Sequence, residues 1–306
     1  MEEIEPLFMI HILEGYSFRN LMGIVKYEIN QASLILSEKS IEISFINSNG
    51  RSGHKIVLRP LDCLKWVYNL RDEEGNLHKE YPIAFDTTEL FNITKSIGKK
   101  DGIRIYLLPG ENKLNVQLSK MSTKDPGSAE VFVVEILNVE HSRYVSPEYT
   151  TESNIRVLSK NFTEMCGCVI DQKCETLEIE ANNNSIIFKG VKANQNVAYI
   201  KRYEGQPQNF SQQEQLQLAS NINEIANMMK NLNLDKRKPT GGGLSLNIVN
   251  SNSVSIKVPI ATIKVLSKIH NVAGNTALLK FYVEKKHPLK IELAVGNYGS
   301  YEIFLV

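Results

Sequence analysis

The sequence predicts an α+β protein made of two similar domains in tandem, built mainly from antiparallel sheet. Two observations carry that prediction. The first is an internal repeat: Phe18, Leu21 and Val25 of SFRNLMGIVKYEI correspond to Phe162, Met165 and Val169 of NFTEMCGCVID at an offset of 144 residues. The strand pair ASLILSEKSIEISF matches TLEIEANNNSIIF near the same offset, and a second pair of helices, TELFNITKSIG and ATIKVLSKIHN, aligns Lys95 with Lys268 at 173. The jump of 29 has one source: the ten-residue loop RDEEGNLHKE (71–80) is replaced in the second half by the 39-residue stretch 205–243. Repeats that hold register except at one loop mark a duplicated unit. The second observation is period-two alternation over segments of strand length, joined by connections short enough for hairpins.

Taken in order, the strands of the first half are LFMIHIL, SLILS, IEISFI, HKIVLR, YPIAFD, IRIYLL, LNVQLS and VFVVEIL. The second half supplies NIRVLS, LEIEA, IIFKG, NVAYIKRY, SLNIV, VSIKV, LLKFYV, LKIELAV and YEIFLV. Turn residues separate them: NSNG at 47–50, PGEN at 109–112, DPGS at 125–128, NNN at 182–184 and GNYG at 296–299. Each half reads as strand, helix, about four strands, helix and three strands. The polar, aperiodic stretch 140–154 around Pro147 divides a domain at 1–139 from one at 155–306. Within 205–243, Leu218, Ile222, Ile225, Met229 and Leu232 recur at helical spacing and predict an amphipathic helix, one that packs on its own domain or binds a partner.

Composition excludes several classes. The 306 residues are 42% hydrophobic and 23% charged, with a net charge of +1, so any charge-based function rests on where charges lie. MEEIEPLFMIHIL is acidic with a short apolar run, unlike a secretory signal, and no window is long and apolar enough to span a bilayer. The expected setting is intracellular, neither secreted nor membrane-bound. Cys63, Cys166, Cys168 and Cys174 are too few for a disulfide scaffold, and C-x-C-x5-C without a nearby His lacks zinc-site spacing, so no metal is expected. GxGxxG opening a helix, Walker A and HExxH are missing and the six His are scattered, so neither a catalytic site nor a cofactor is expected.

The helices carry the remaining signal. Opposite its apolar stripe, the first shows Arg19, Gly23, Lys26 and Asn30. The helix at 88–99 turns out Asn92, Lys95, Ser96 and Lys99, and the last exposes Lys264, Ser267, Lys268 and Asn271. Three of four helices thus present Lys or Arg among small polar residues, without carboxylates. Such a surface suits a phosphate backbone and reads no base sequence. The fourth helix, the one containing NFTEMCGCVID, differs, with Lys160, Glu164, Gly167 and Asp171 on its outer line.

These elements resemble the sliding-clamp family of proliferating cell nuclear antigen (PCNA). The resemblance is strongest in VSIKVPIATIKVLSKIHNVAGNTALLKFYVEKKHPLKIELAVGNYGSYEIFLV, and extends to TTELFNITKSIGKKDGIRIYL and the strand–helix opening. It implies a homotrimeric ring around duplex DNA, helices inside and sheets outside, that tethers DNA polymerase and other replication proteins and is placed by a clamp loader. It would act as a non-catalytic processivity factor in the nucleus or at a viral replication site, as a divergent or viral member. Under the resemblance, Arg19, Lys26, Lys95 and Lys264 face DNA, and helical geometry adds Lys99 and Lys268. The partner-peptide pocket would be Ile46, Tyr144, Tyr149, Pro288 and Leu305. Subunits would join through 113–121 (Leu114, Val116, Leu118) and 195–203 (Val197, Tyr199, Lys201). A subunit of a heteromeric ring, an open DNA-binding accessory protein and a tandem interaction scaffold remain alternatives.

Overall fold

The structure, a computed structural model, describes residues 5–60, 63–120, 128–139, 143–150, 153, 155–182, 185–204, 253–274 and 276–306. The expected strand SLNIV and the amphipathic stripe 218–232 lie outside them.

The first half runs β1 (Phe8–Ile12), α1 (Gly15–Glu28), β2 (Gln31–Leu36), β3 (Ile41–Ile46), β4 (Ser52–Leu58), β5 (Lys65–Tyr68), β6 (Tyr81–Asp86), α2 (Thr87–Thr94), β7 (Gly102–Leu107), β8 (Lys113–Lys120) and β9 (Ser128–Glu135). The second runs β10 (Ile155–Leu158), α3 (Ser159–Asp171), β11 (Thr176–Ala181), β12 (Ser185–Val191), β13 (Val197–Glu204), β14 (Val254–Pro259), α4 (Ile260–Leu266), α5 (His270–Ala273), β15 (Leu278–Tyr282), β16 (Leu289–Val295) and β17 (Gly299–Leu305). Apart from β5, which alternation did not single out, the two halves follow one order, with the final helical stretch of the second split into α4 and α5.

Among the described residues, three antiparallel sheets result. Their strand orders are β5-β1-β7-β8-β9, β10-β15-β16-β17-β4-β3-β2-β6 and β13-β12-β11-β14. The eight-stranded sheet joins the halves, because β17 pairs with β4 from Gly299↔Leu58 to Leu305↔Ser52. One core runs through both halves, and the inward faces of the sheets meet the apolar stripes of the helices. Phe18, Leu21 and Val25 of α1 and Phe162, Met165 and Val169 of α3 are fully buried, as the repeat requires.

Local chemistry sets the helix ends. Asp86 caps α2 by accepting from the backbone N–H of Thr88 (2.8 Å) and Glu89 (2.9 Å). The helix expected over 88–99 ends at Thr94, and a turn then buries Ile97 and offers its carbonyl to Arg19 Nη1 at 2.8 Å. Across the domain boundary, Asn20 Nδ2 donates to Asn271 O at 2.6 Å, so α1 and α5 make the helices one layer.

Beneath the end of α1 lies a buried polar cluster. The His54 imidazole contacts Ser52 Oγ (2.8 Å) through Nε2 and Tyr301 Oη (2.7 Å) through Nδ1, with Glu28 Oε2 at 3.8 Å. Burial lowers the His54 pKa to about 3 and raises that of Glu28. Unfolded His54 takes a proton below about pH 6.5, which the folded side chain refuses until about pH 3. Stability therefore falls on acidification through this window, by at most about 1.4 kcal/mol per pH unit from this group. Glu28 acts oppositely, since its protonated form stabilises at low pH and that contribution fades as pH rises. We expect denaturant unfolding of His54→Gln to be flatter in pH than the parent between pH 7 and 4. Equal slopes would show that His54 does not govern acid stability.

Candidate functional site

The helix layer collects the predicted basic residues. Lys95, Lys99 and Lys264 are exposed, and Arg19, Lys26 and Lys268 are half-buried. Three of them lean on neighbours: Lys26 Nζ lies 4.8 Å from the centre of the Phe91 ring, and Lys268 Nζ 3.6 Å from that of Tyr27, while Arg19 holds the carbonyl after α2. Among the described residues, the carboxylates within 4 Å of a Lys or Arg pair with other residues than these six. The charges are therefore available to an anion. On α3, by contrast, Lys160 pairs with Glu164 at 3.9 Å, which balances that outer line. Tyr27, two-thirds exposed beside Lys268, is an aromatic on this layer that the helical pattern did not single out.

The strand edges require a correction. The stretch 113–121 was expected at an edge, but β8 pairs with β7 on one side and β9 on the other. Leu114, Val116 and Leu118 point into the core and are fully buried, so they present nothing to another subunit. At this end of the sheet the edge strand among the described residues is β9, whose Val131 and Val133 are 53% and 43% exposed. The other expected edge agrees with the topology: among the described residues β13 pairs only with β12, and its Val197 and Lys201 are exposed, with Tyr199 half-buried. Ile200, 61% exposed, adds apolar surface there. The repeat relates the two free edges to a junction already present. By order in each half, β9 corresponds to β17 and β13 to β4, and β17–β4 is the pair that joins the domains.

The linker crosses the outer face of the eight-stranded sheet. Ile46, Gly53, Phe304, Lys290 and Tyr282 stand opposite one another along one row of this sheet. Arg143 clamps Glu42 with Nε at 2.9 Å and Nη2 at 3.0 Å, and reaches Glu80 with Nη1 at 3.1 Å. Those bonds raise the Arg143 pKa, and they hold Glu42 below the carboxylate range despite its burial. The Tyr144 ring lies on the backbone at Gly53, 5.1 Å from the Phe304 ring. Tyr149 donates to Pro288 O at 2.5 Å and packs on His287, with ring centres 5.3 Å apart, and Thr150 N donates to Glu284 Oε1 at 2.6 Å. Burial raises the Tyr149 pKa, keeping the phenol a donor.

Four of the five predicted pocket residues thus meet on one face: Ile46, 53% exposed, with Tyr144, Tyr149 and Pro288 half-buried. Leu305 does not join them. It alternates with Phe304, faces the core and is 1% exposed, so it cannot line a surface groove. Phe304 lies on the linker side of the sheet, but it is fully buried beneath Tyr144 and Tyr149 and lines no open groove either; Glu302 two residues earlier marks that face in the sequence. A Cβ at Gly53 would overlap the Tyr144 ring. We expect Gly53→Leu to expel Tyr144 at a cost of about 1–2 kcal/mol in unfolding free energy. Adding Tyr144→Ala to that variant should cost little more. Additive losses would mean that the ring does not rest on Gly53.

No protein-family model matches this sequence, and no curated protein matches it. Solved structures do match. PCNA of Entamoeba histolytica superposes with a TM-score of 0.68 at 12% identity, covering 99% of each chain. A PCNA2–PCNA3 complex of Sulfolobus tokodaii gives a TM-score of 0.63 at 13% identity, covering 97% of this chain and 98% of that one. Two tandem α+β halves with one helix layer and a sheet continuous across the domain boundary therefore make up the PCNA clamp fold, and this chain has it.

Proposed function

We propose that this protein is a non-catalytic sliding clamp: three copies join head to tail into a ring around duplex DNA. One observation carries the proposal. Two of the edge strands among the described residues, β9 and β13, are the repeat counterparts of β17 and β4, the strands that already join one domain to the next. A second copy that adds β9 to β13 repeats that junction between chains. Heterologous contacts of this kind close into rings when the rotation permits, and strand addition satisfies the edges.

Arg19, Lys26, Lys95, Lys99, Lys264 and Lys268 then line the hole and contact phosphates without regard to sequence. The ring holds DNA by enclosure, so these contacts need only be weak. Ile46, Tyr144, Tyr149 and Pro288 receive short peptides of DNA polymerase and other replication proteins. A clamp loader opens the ring, in the nucleus or at a viral replication site.

A second reading, a subunit of a ring of unlike chains, draws on the balanced charge of α3, where Glu164 stands on the helix layer. Light scattering on the full chain across a dilution series separates the two. A mass near three times 34.6 kDa that persists on dilution supports the homotrimer, whereas a persistent 34.6 kDa monomer overturns it in favour of unlike partners.

A further inference from the structure

The outer face of the five-stranded sheet carries a feature that the clamp reading does not use. Lys65, His11, Arg104, Gln117 and Val131 stand directly opposite one another across all five strands, so three basic side chains are consecutive neighbours. Like charges opposite each other in a sheet destabilise it. The adjacent outward row is Val67, Met9, Tyr106, Asn115 and Val133, and the row beyond His11 holds Gly102, Ser119 and Ala129. Neither brings a carboxylate among the described residues. Two acids at the ends of β8 and β9 are occupied elsewhere: Glu111 accepts from Asn115 Nδ2 at 2.8 Å and Glu135 pairs with Lys113 at 3.4 Å.

The Arg104 guanidinium is half committed. Its Nη1 donates to Gln117 Oε1 at 3.1 Å, while its Nε is buried with no partner among the described residues. Burial, then the charges of Arg104 and Lys65, hold the His11 imidazole below its ordinary pKa. Beside this row, Leu13 and Leu64 are 58% and 61% exposed, and Leu64 N donates to His11 O at 2.9 Å.

We infer that the β5–β1–β7 face is a docking surface for an acidic segment of a partner protein, its carboxylates on Lys65 and Arg104 and its apolar side chains on Leu13 and Leu64. Charge complementarity selects an acidic occupant, and the two exposed leucines select a peptide over a nucleic acid or a free phosphate. The surface is separate from the helix layer, and β8 stands between it and the β9 edge, so it stays open whether or not the chain forms a ring.

The test is calorimetric titration of the full chain with acetyl-Asp-Glu-Leu-Asp-Asp-Leu-amide, with its Lys-for-acid counterpart, pyrophosphate and a short DNA duplex as comparisons. The acidic peptide should bind, and Lys65→Gln and Arg104→Gln should each weaken it by about tenfold or more. Both variants should unfold near the parent's temperature, because neither Lys65 nor Arg104 has a carboxylate within 4 Å among the described residues. Nuclear magnetic resonance of the His11 ring adds a local readout: bound carboxylates should raise its pKa. The inference is overturned if the peptide does not bind, binds the variants equally, or leaves His11 unmoved. It is also overturned if pyrophosphate or the duplex binds this row while the peptide does not, or if the variants lose stability, which would make the row structural.

Discussion

Val133→Asp combined with Ile200→Asp should reduce the particle in solution from the proposed trimer to a 34.6 kDa monomer. The two side chains are exposed on the free edges β9 and β13, and in the proposed ring both lie where one copy meets the next. A carboxylate forced into such a contact without a partner costs several kcal/mol per interface. A loss of about 3 kcal/mol raises a dissociation constant by more than a hundredfold. Because both positions are exposed within one chain, the unfolding midpoint of the monomer should change little. Light scattering of parent and variant at equal concentration decides the matter. A variant that keeps the parent's assembled mass would show that these edges do not join subunits, and would remove the observation on which the ring rests.

Lys26→Glu combined with Lys264→Glu should abolish retention on nicked circular duplex DNA while leaving the particle mass unchanged. Each trimer would exchange six cations for six carboxylates on the surface proposed to face phosphate. For the open chain on linear duplex, the slope of log binding constant against log salt should become shallower by about 0.9 for each phosphate that is no longer neutralised. The converse substitution, Glu164→Lys, frees Lys160 from its ion pair and should strengthen the same binding. Retention unaffected by the double reversal would move DNA binding off the helix layer, and would favour an interaction scaffold over a clamp.

Much of the architecture was legible because its signals are local. Alternation located nearly every described strand, and the helical stripes of Phe18, Leu21 and Val25 and of Phe162, Met165 and Val169 matched the buried faces. β5 escaped because four residues, KWVY, are too short for a period to register. The end of α2 was misjudged because apolar Ile97 continues the stripe after the backbone has left the helix. The linker was visible as a polar join. That Arg143 clamps Glu42, 101 residues away, and that Tyr144 settles on Gly53 were not visible, since no local pattern marks partners so distant.

The two misplaced sites share a cause. Leu114, Val116 and Leu118 were assigned to an edge, and Leu305 to a groove, from which residues share a strand face. By itself the sequence determined the duplication, the order of elements, the residues grouped on each face and the basic character of three helix surfaces, because these depend on neighbours within a turn or a strand. Tertiary structure alone decided that β8 is interior and β9 is an edge, that Phe304 rather than Leu305 lies on the linker side of the sheet, and that Lys65, His11 and Arg104 form one row. The physical reason is that a period states which side chains travel together. Which face meets the core, and which strand lacks a neighbour, depend on hydrogen-bonded pairings between segments far apart in the chain.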